Sequence, residues 1–325
     1  MPPPTLPIDM NNSEVRNYLS LIRLQVLTPL SLLISTASLL VCQFMADPSI
    51  RRIFHLYPAS ISPKPGVIAP YVALIFVAQI GYCVLLVSAR KEETKDALVK
   101  GVGLSLVFAN WVIAGWAIAW IFRWFLLSAI LQGILVLLLV YSNINLLVYH
   151  APTWQRPLDM LLIHAPLRFF LILPLSLMFP YSLFIKLGLT YTPTAPGIPI
   201  DYDKYPWSGF GVVFGSNLLG LAVIMLRRDF IWCVAATWVC VSIWSARPKP
   251  APVYITVLVF TIIHPLALVA AVVHHRFLRR RRVALENDDE ALHRPHSIPP
   301  NGEQPPNYQA TAQQPREVDP EQLWG

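Results

Sequence analysis

Three tryptophans, Trp116, Trp120 and Trp124, recur every four residues and so share one face of any helix that contains them. An indole offers a broad apolar face and one N–H donor, which suits a flat apolar molecule with a polar edge. Trp124, and Trp244 further on, fall where apolar runs end and read as interfacial anchors. Trp116 and Trp120 lie nearer mid-run and Asn110 precedes them, so these three are candidate ligand-binding residues. His264, just before Pro265, reads as the only ionisable side chain well inside an apolar run, and an intramembrane ionisable group is a functional candidate by default. Lacking a buried carboxylate beside it, it suits a helix-to-helix bond better than a proton relay. Gln79, Asn110, Gln132, Asn143, Asn145 and Asn217 also lie within apolar runs. Their default role is hydrogen bonding between helices, worth about 1 kcal/mol or less each.

No nucleophile elbow, zinc-protease helix motif or phosphate loop occurs, and there are no paired intramembrane aspartates. The expected class is non-enzymatic, with no cofactor and no metal. His274, His275, His293 and His296 have no spacing that defines a metal site. The four cysteines sit within apolar runs as small packing residues. The most specific short motif is Pro305-Pro306-Asn307-Tyr308, a PPxY. A proline-rich segment preforms the polyproline II helix that an aromatic WW groove accepts at low entropic cost. The motif resembles peptides that recruit WW-domain ubiquitin ligases, through Pro305, Pro306 and Tyr308. No lysine follows Lys249. If the chain is itself ubiquitinated on lysine, the cytosolic acceptors are Lys91, Lys95 and Lys100; otherwise it presents the ligase to a partner. Asp288-Asp289-Glu290 reads as a solvated acidic run, although it also fits a diacidic export pattern.

The elements that must position these residues are apolar helices. Of the 325 residues 55% are hydrophobic and 13% charged, against about 25% charged in a soluble domain. A run of about 20 apolar residues crosses a bilayer core. Eight runs are legible: Leu24–Met45, Pro70–Ala89, Val102–Phe122, Phe125–Tyr149, Leu167–Leu187, Ser208–Met225, Phe230–Ser245 and Val253–His274. The expected fold is an all-α polytopic transmembrane bundle of about eight spans, with seven as the alternative. The seventh run is short enough to be re-entrant or tilted. Arg123-Trp124 and Arg227-Arg228-Asp229 leave room only for minimal turns. Pro174, Pro180 and Pro265 should kink their helices.

Three regions follow: a polar N-terminal segment, 1–23; the bundle, 24–275; and a Pro-, Gln- and acid-rich tail, 276–325, expected to be disordered. With both termini cytosolic, fifteen Lys and Arg flank the inner ends, Arg168 among them, against eight outside. The block Arg276, Arg279, Arg280, Arg281 and Arg282 then anchors the last span inside, which accounts for much of the +7 charge without nucleic acid. The expected site is an endomembrane or plasma membrane, with lipid as the first partner. The only glycosylation sequon, Asn11-Asn12-Ser13, would face outward in the seven-span alternative.

Three stretches carry a family resemblance: Asn110-Trp111 through Trp116 to Trp120; Arg168 with Leu173-Pro174-Leu175-Ser176-Leu177; and Asn217 through Arg228-Asp229 to Trp238. In these the chain resembles the tryptophan-rich sensory (TspO-like) proteins in a longer, many-span form. That resemblance implies a helical bundle with an aromatic pocket for tetrapyrroles or sterols, in which Asn110, Trp116 and Trp120 are the positions carried over. The overall layout and the PPxY tail also resemble a fungal multi-span family with no assigned function. A transporter of an uncharged solute is a further alternative, since charged intramembrane residues typical of other transporters are not evident.

Overall fold

The computed structural model describes the backbone of residues 13–149, 157–191 and 201–293, and the side chains of 15–148, 157–191 and 201–277. Among these residues all regular structure is helical. The chain forms two units, Met1–His275 and Arg276–Gly325.

Each of the eight apolar runs forms helix, because unbroken apolar sequence satisfies its backbone internally and gains by burying its faces against neighbours. The helices are α1 (Ser13–Phe44), a short surface helix α2 (Ile50–Leu56), α3 (Pro65–Ser88), α4 (Glu92–Asp96), α5 (Ser105–Ile121), α6 (Phe125–Tyr149), α7 (Pro157–Asp159), α8 (Ala165–Leu173), α9 (Phe179–Lys186), α10 (Pro206–Arg227), α11 (Phe230–Trp244) and α12 (Ala251–His293). Six described helices are long and apolar enough to cross a membrane: Val15–Phe44, Pro65–Ser88, Phe125–Val148, Pro157–Lys186, Pro206–Arg227 and Ala251–Phe277. The third run becomes a seventh if counted with its bent partner, Glu92–Val102 and Ser105–Ile121, which meet at 45°. The break falls at Gly103, whose φ of +54° few side chains tolerate. Helix α11 has only 15 residues, which at 1.5 Å per residue spans about 22 Å of a core about 30 Å thick.

The fifth run is one helix interrupted twice by wide π turns, Met160–His164 and Pro174–Met178. Pro166 and Pro174 lack the N–H of a regular α ladder, so the helix widens near them. Pro174 therefore acts through a π turn, whereas Pro180 sits harmlessly in the first turn of α9. The fifth helix begins at Pro157, ten residues before the expected Leu167, and two regional boundaries also differ from the sequence reading. Helix α1 begins at Ser13, inside the expected polar segment, and α12 continues through His293 into the expected disordered tail. No proline or glycine lies between Leu266 and His293, and Pro295 follows, so nothing local stops the helix earlier. Residues 294–325, with Pro305, Pro306 and Tyr308, and the sequon asparagines lie outside the described residues.

Connections alternate between two ends of the bundle. At one end Tyr191 N–H donates to Pro58 C=O at 2.7 Å and Lys64 N–H to Ser242 C=O at 2.7 Å. Tyr57 packs edge-on against Phe125, ring centroids 5.0 Å apart. This plugged end thus gathers the first, third, fifth and seventh connections. At the other, basic end Gln25 Nε2 donates to Leu86 C=O at 2.8 Å and Thr94 Oγ1 to Asp159 Oδ2 at 3.1 Å. Both minimal turns are present. Each uses an arginine in the left-handed region: Arg123, φ +60°, between α5 and α6, and Arg228, φ +54°, between α10 and α11.

Candidate functional site

Trp116 and Trp120 come together with aromatic residues from three other elements rather than with an opening. Trp120 lies 4.9 Å from Phe54, 5.4 Å from Trp116, 5.6 Å from Phe125 and 6.2 Å from Tyr181, centroid to centroid. Both indoles are essentially fully buried. Trp124 is exposed and stacks on Phe122 at 5.2 Å, as an interfacial anchor would. Asn110 stands apart from the cluster, its Nδ2 donating to Ser31 Oγ at 3.4 Å between α5 and α1.

His264 lies among different helices. Its Nε2 is 3.3 Å from Asn217 C=O, and the Asn217 side chain donates to Val213 C=O at 2.7 Å while accepting the Cys240 thiol at 3.0 Å. This fully buried polar knot ties α10, α11 and α12 together. The four predicted residues therefore occupy three separate places: the Trp cluster, the α1–α5 contact and the α10–α12 contact.

His264 is not the only ionisable group within the bundle. Arg168 Nη1 is 2.8 Å from both carboxylate oxygens of Asp229, and each side chain is 4% exposed. Asp229 also caps α11 by accepting Trp232 N–H at 3.0 Å. From sequence alone Arg168 counts as a flanking charge at an inner helix end. The fifth helix starts at Pro157 and carries Arg168 inward, where only a carboxylate makes its burial tolerable. Removing Arg168 from the count leaves the charge bias toward the basic end.

At the plugged end a non-helical segment, Tyr57–Lys64, is pushed inward: Ala59, Ser60 and Ile61 are 3%, 1% and 0% exposed. Buried irregular backbone needs partners for its carbonyls, and neighbouring elements supply them. Tyr181 Oη donates to Tyr57 C=O at 2.7 Å, while Lys249 Nζ donates to Ser60 C=O at 2.9 Å and Ser62 C=O at 2.6 Å. Gly209 of α10 fits against the plug because it has no Cβ, which would lie 2.2 Å from Ser60 Oγ. Burial holds the Lys249 amine down to about 7 and pushes the Tyr191 phenol up to about 12.

The described groove that could take a ligand is elsewhere again. It has a volume of about 570 Å³ and lies between α3, α11 and α12. Val67, Phe230, Cys233, Val234, Thr237, Trp238, Val241, Pro265, Leu268 and Val269 line it. The Trp238 indole is tied back by a 2.9 Å bond from Nε1 to Val67 C=O and stands edge-on to Tyr71, whose hydroxyl donates to Phe169 C=O at 2.9 Å. These contacts give the groove a rigid wall. In the sequence Trp238 and Pro265 stand out separately, in different apolar runs. Nothing in either run announces that a third helix, α3, would complete the wall.

The lysine candidates sit at the basic end on one connection. Lys95 pairs with Glu92 at 2.8 Å and Lys100 with Asp96 at 3.0 Å, both side chains partly exposed, and Lys91 is exposed. Among the described residues no cluster of three His, Cys, Asp or Glu could hold a metal ion. The chain matches no protein-family model, no curated protein and no solved structure.

Proposed function

We propose that the chain is a non-enzymatic multi-pass membrane protein, all eight apolar helices crossing the bilayer and both termini cytosolic, that holds a small apolar ligand of sterol type in the α3–α11–α12 groove. The groove is the observation that carries this reading. Its lining side chains are apolar apart from the Thr237 hydroxyl, the Cys233 thiol and the Trp238 indole N–H, and that N–H is spent on the Val67 carbonyl across the groove wall. A rigid apolar concavity with little polar lining suits a flat hydrocarbon skeleton. The alternating ends support eight crossings, because the short α11 runs from the basic to the plugged end like its neighbours. The resemblance to tryptophan-rich sensory proteins adds tetrapyrroles as a second ligand class to test.

Photoactivatable cholesterol in vesicles containing the full-length protein tests the site. Labelling should map to α11 and α12, fall with excess unlabelled sterol, and be lost in Leu268→Trp, which fills the groove. Labelling indifferent both to competitor and to Leu268→Trp would overturn the sterol reading. Porphyrin addition with Trp238 fluorescence as readout tests the second class.

A second reading rests on a different observation. Lys91, Lys95 and Lys100 lie at the basic end of the bundle, the end at which α12 reaches His275, and the PPxY motif follows that helix in the sequence. In that reading the bundle anchors an adaptor for a WW-domain ubiquitin ligase. Tyr308→Ala should abolish ligase association while leaving sterol labelling intact. Unchanged association would dispose of the adaptor.

A further inference from the structure

We propose that the α5–α6 hairpin binds water internally, at a site bounded by Trp116, Trp120, Ser128 and Gln132. All four side chains are buried, at 2%, 0%, 0% and 0% exposure. Five of their polar atoms, the two indole Nε1, Ser128 Oγ and both Gln132 amide atoms, have no hydrogen-bond partner among the described residues. These are the second, independent signal at the tryptophan cluster, beyond its aromatic packing.

The register of the hairpin places the four residues together. The turn closes with Trp124 N–H on Ala119 C=O at 2.9 Å, and further along the hydroxyls of Ser105 and Ser142 meet. Between these two fixed points a Cβ on Gly115 would lie 3.9 Å from Leu131. Antiparallel pairing in this register sets Trp120 level with Ser128 and Trp116 level with Gln132. Ser128 and Gln132, four apart, share one face of α6, as the tryptophans share one face of α5.

Chemistry then selects the ligand. An unpaired buried donor or acceptor carries its full desolvation cost, and a membrane bundle offers no bulk water to relieve it. Three other buried amides reach a neighbouring helix: Asn110 Nδ2 donates to Ser31 Oγ at 3.4 Å, Asn143 Nδ2 to Leu167 C=O at 3.4 Å, and Asn217 Oδ1 accepts the Cys240 thiol at 3.0 Å. Gln79, away from this hairpin on α3, is like Gln132 in having both amide atoms unpartnered among the described residues. Gln132 makes no such bond, so an ordinary bonding role leaves it unexplained. Two indole donors, one amide acceptor, one amide donor and one hydroxyl are a set that a molecule with two donors and two acceptors can bridge. Water is the smallest such molecule, and buried waters ordinarily make about three hydrogen bonds to groups of this kind. The site shares no residue with the α3–α11–α12 groove, so the two readings fail independently.

The test uses full-length protein in lipid nanodiscs with ¹⁵N-labelled tryptophan. The Nε1–H signals of Trp116 and Trp120, assigned by Trp116→Phe and Trp120→Phe, should show magnetisation transfer to water. Gln132→Leu should abolish that transfer at Trp116 and lower the thermal midpoint, because a bridging partner is lost. Absence of water transfer at both indoles in the wild type overturns the proposal. A higher midpoint in Gln132→Leu does so as well, since replacing an unbridged amide with an apolar side chain relieves strain.

Discussion

The two ends of the bundle solve the same problem, polar groups in an apolar setting, by opposite means. At the basic end the solution is charge against charge: Arg168 and Asp229 are buried together, and Asp229 doubles as the cap of α11. At the plugged end it is charge against dipole: Lys249 spends its amine on two backbone carbonyls of the buried segment. An ion pair fails when either partner is removed, because the survivor is left buried and uncompensated. A lysine on carbonyls is easier to replace. The basic end should therefore be brittle and insensitive to mild pH change, and the plugged end tolerant but pH-dependent.

The largest effect tests that brittleness. Arg168→Met should destabilise the bundle by about 3–5 kcal/mol, and Arg168→Met with Asp229→Leu should recover part of the loss. Thermal unfolding in detergent with and without the second change measures both. A double variant no better than the single one would show that the cap on Trp232, rather than the pair, carries the stability. The next effect sharpens the fit of the plug. Gly209→Ala places a methyl against Ser60 Oγ and Val253 and should cost about 1–3 kcal/mol through overpacking, whereas Gly211→Ala, with open space around it, should be close to neutral. Equal midpoints for the two variants would mean the plug yields freely.

The third effect concerns protons. The Lys249 amine titrates near 7 in the folded chain and about 10.4 when unfolded. The unfolded state therefore binds more protons between those values, and stability rises with pH across that window. Below about 7 the amine is charged in both states and its burial cost is full and constant. Lys249→Met should flatten the rise between pH 7 and 10 while leaving the response below pH 7 unchanged. Chemical unfolding at a series of pH values reads this directly, and an unchanged slope would contradict the assignment.

The same contrast explains what the sequence revealed. Periodic apolar runs located the helices, and the two minimal turns at Arg123 and Arg228 were legible because so few residues separate the runs. The tryptophan stripe was legible as a face of α5, but its neighbours come from α2, α6 and α9, and local spacing carries no information about them. The Arg168–Asp229 pair joins residues 61 apart, so Arg168 looked like a flanking charge. Tyr57–Lys64 reads as an ordinary Pro- and Ser-containing loop. Its burial depends on acceptors and donors from the fifth and seventh connections and α9. The groove needed three helices at once. Composition and periodicity give elements; sites made between distant elements require the packing.

The central claim is that the chain traverses the membrane at every apolar helix, including the short α11. Single cysteines at Arg227 and Arg247, the exposed residues flanking that helix, test it in intact cells with a membrane-impermeant maleimide. In a background with Cys42, Cys83, Cys233 and Cys240 replaced, Arg247→Cys should label from outside and Arg227→Cys only after permeabilisation. Labelling of both from the same side would make α11 re-entrant and contradict the account.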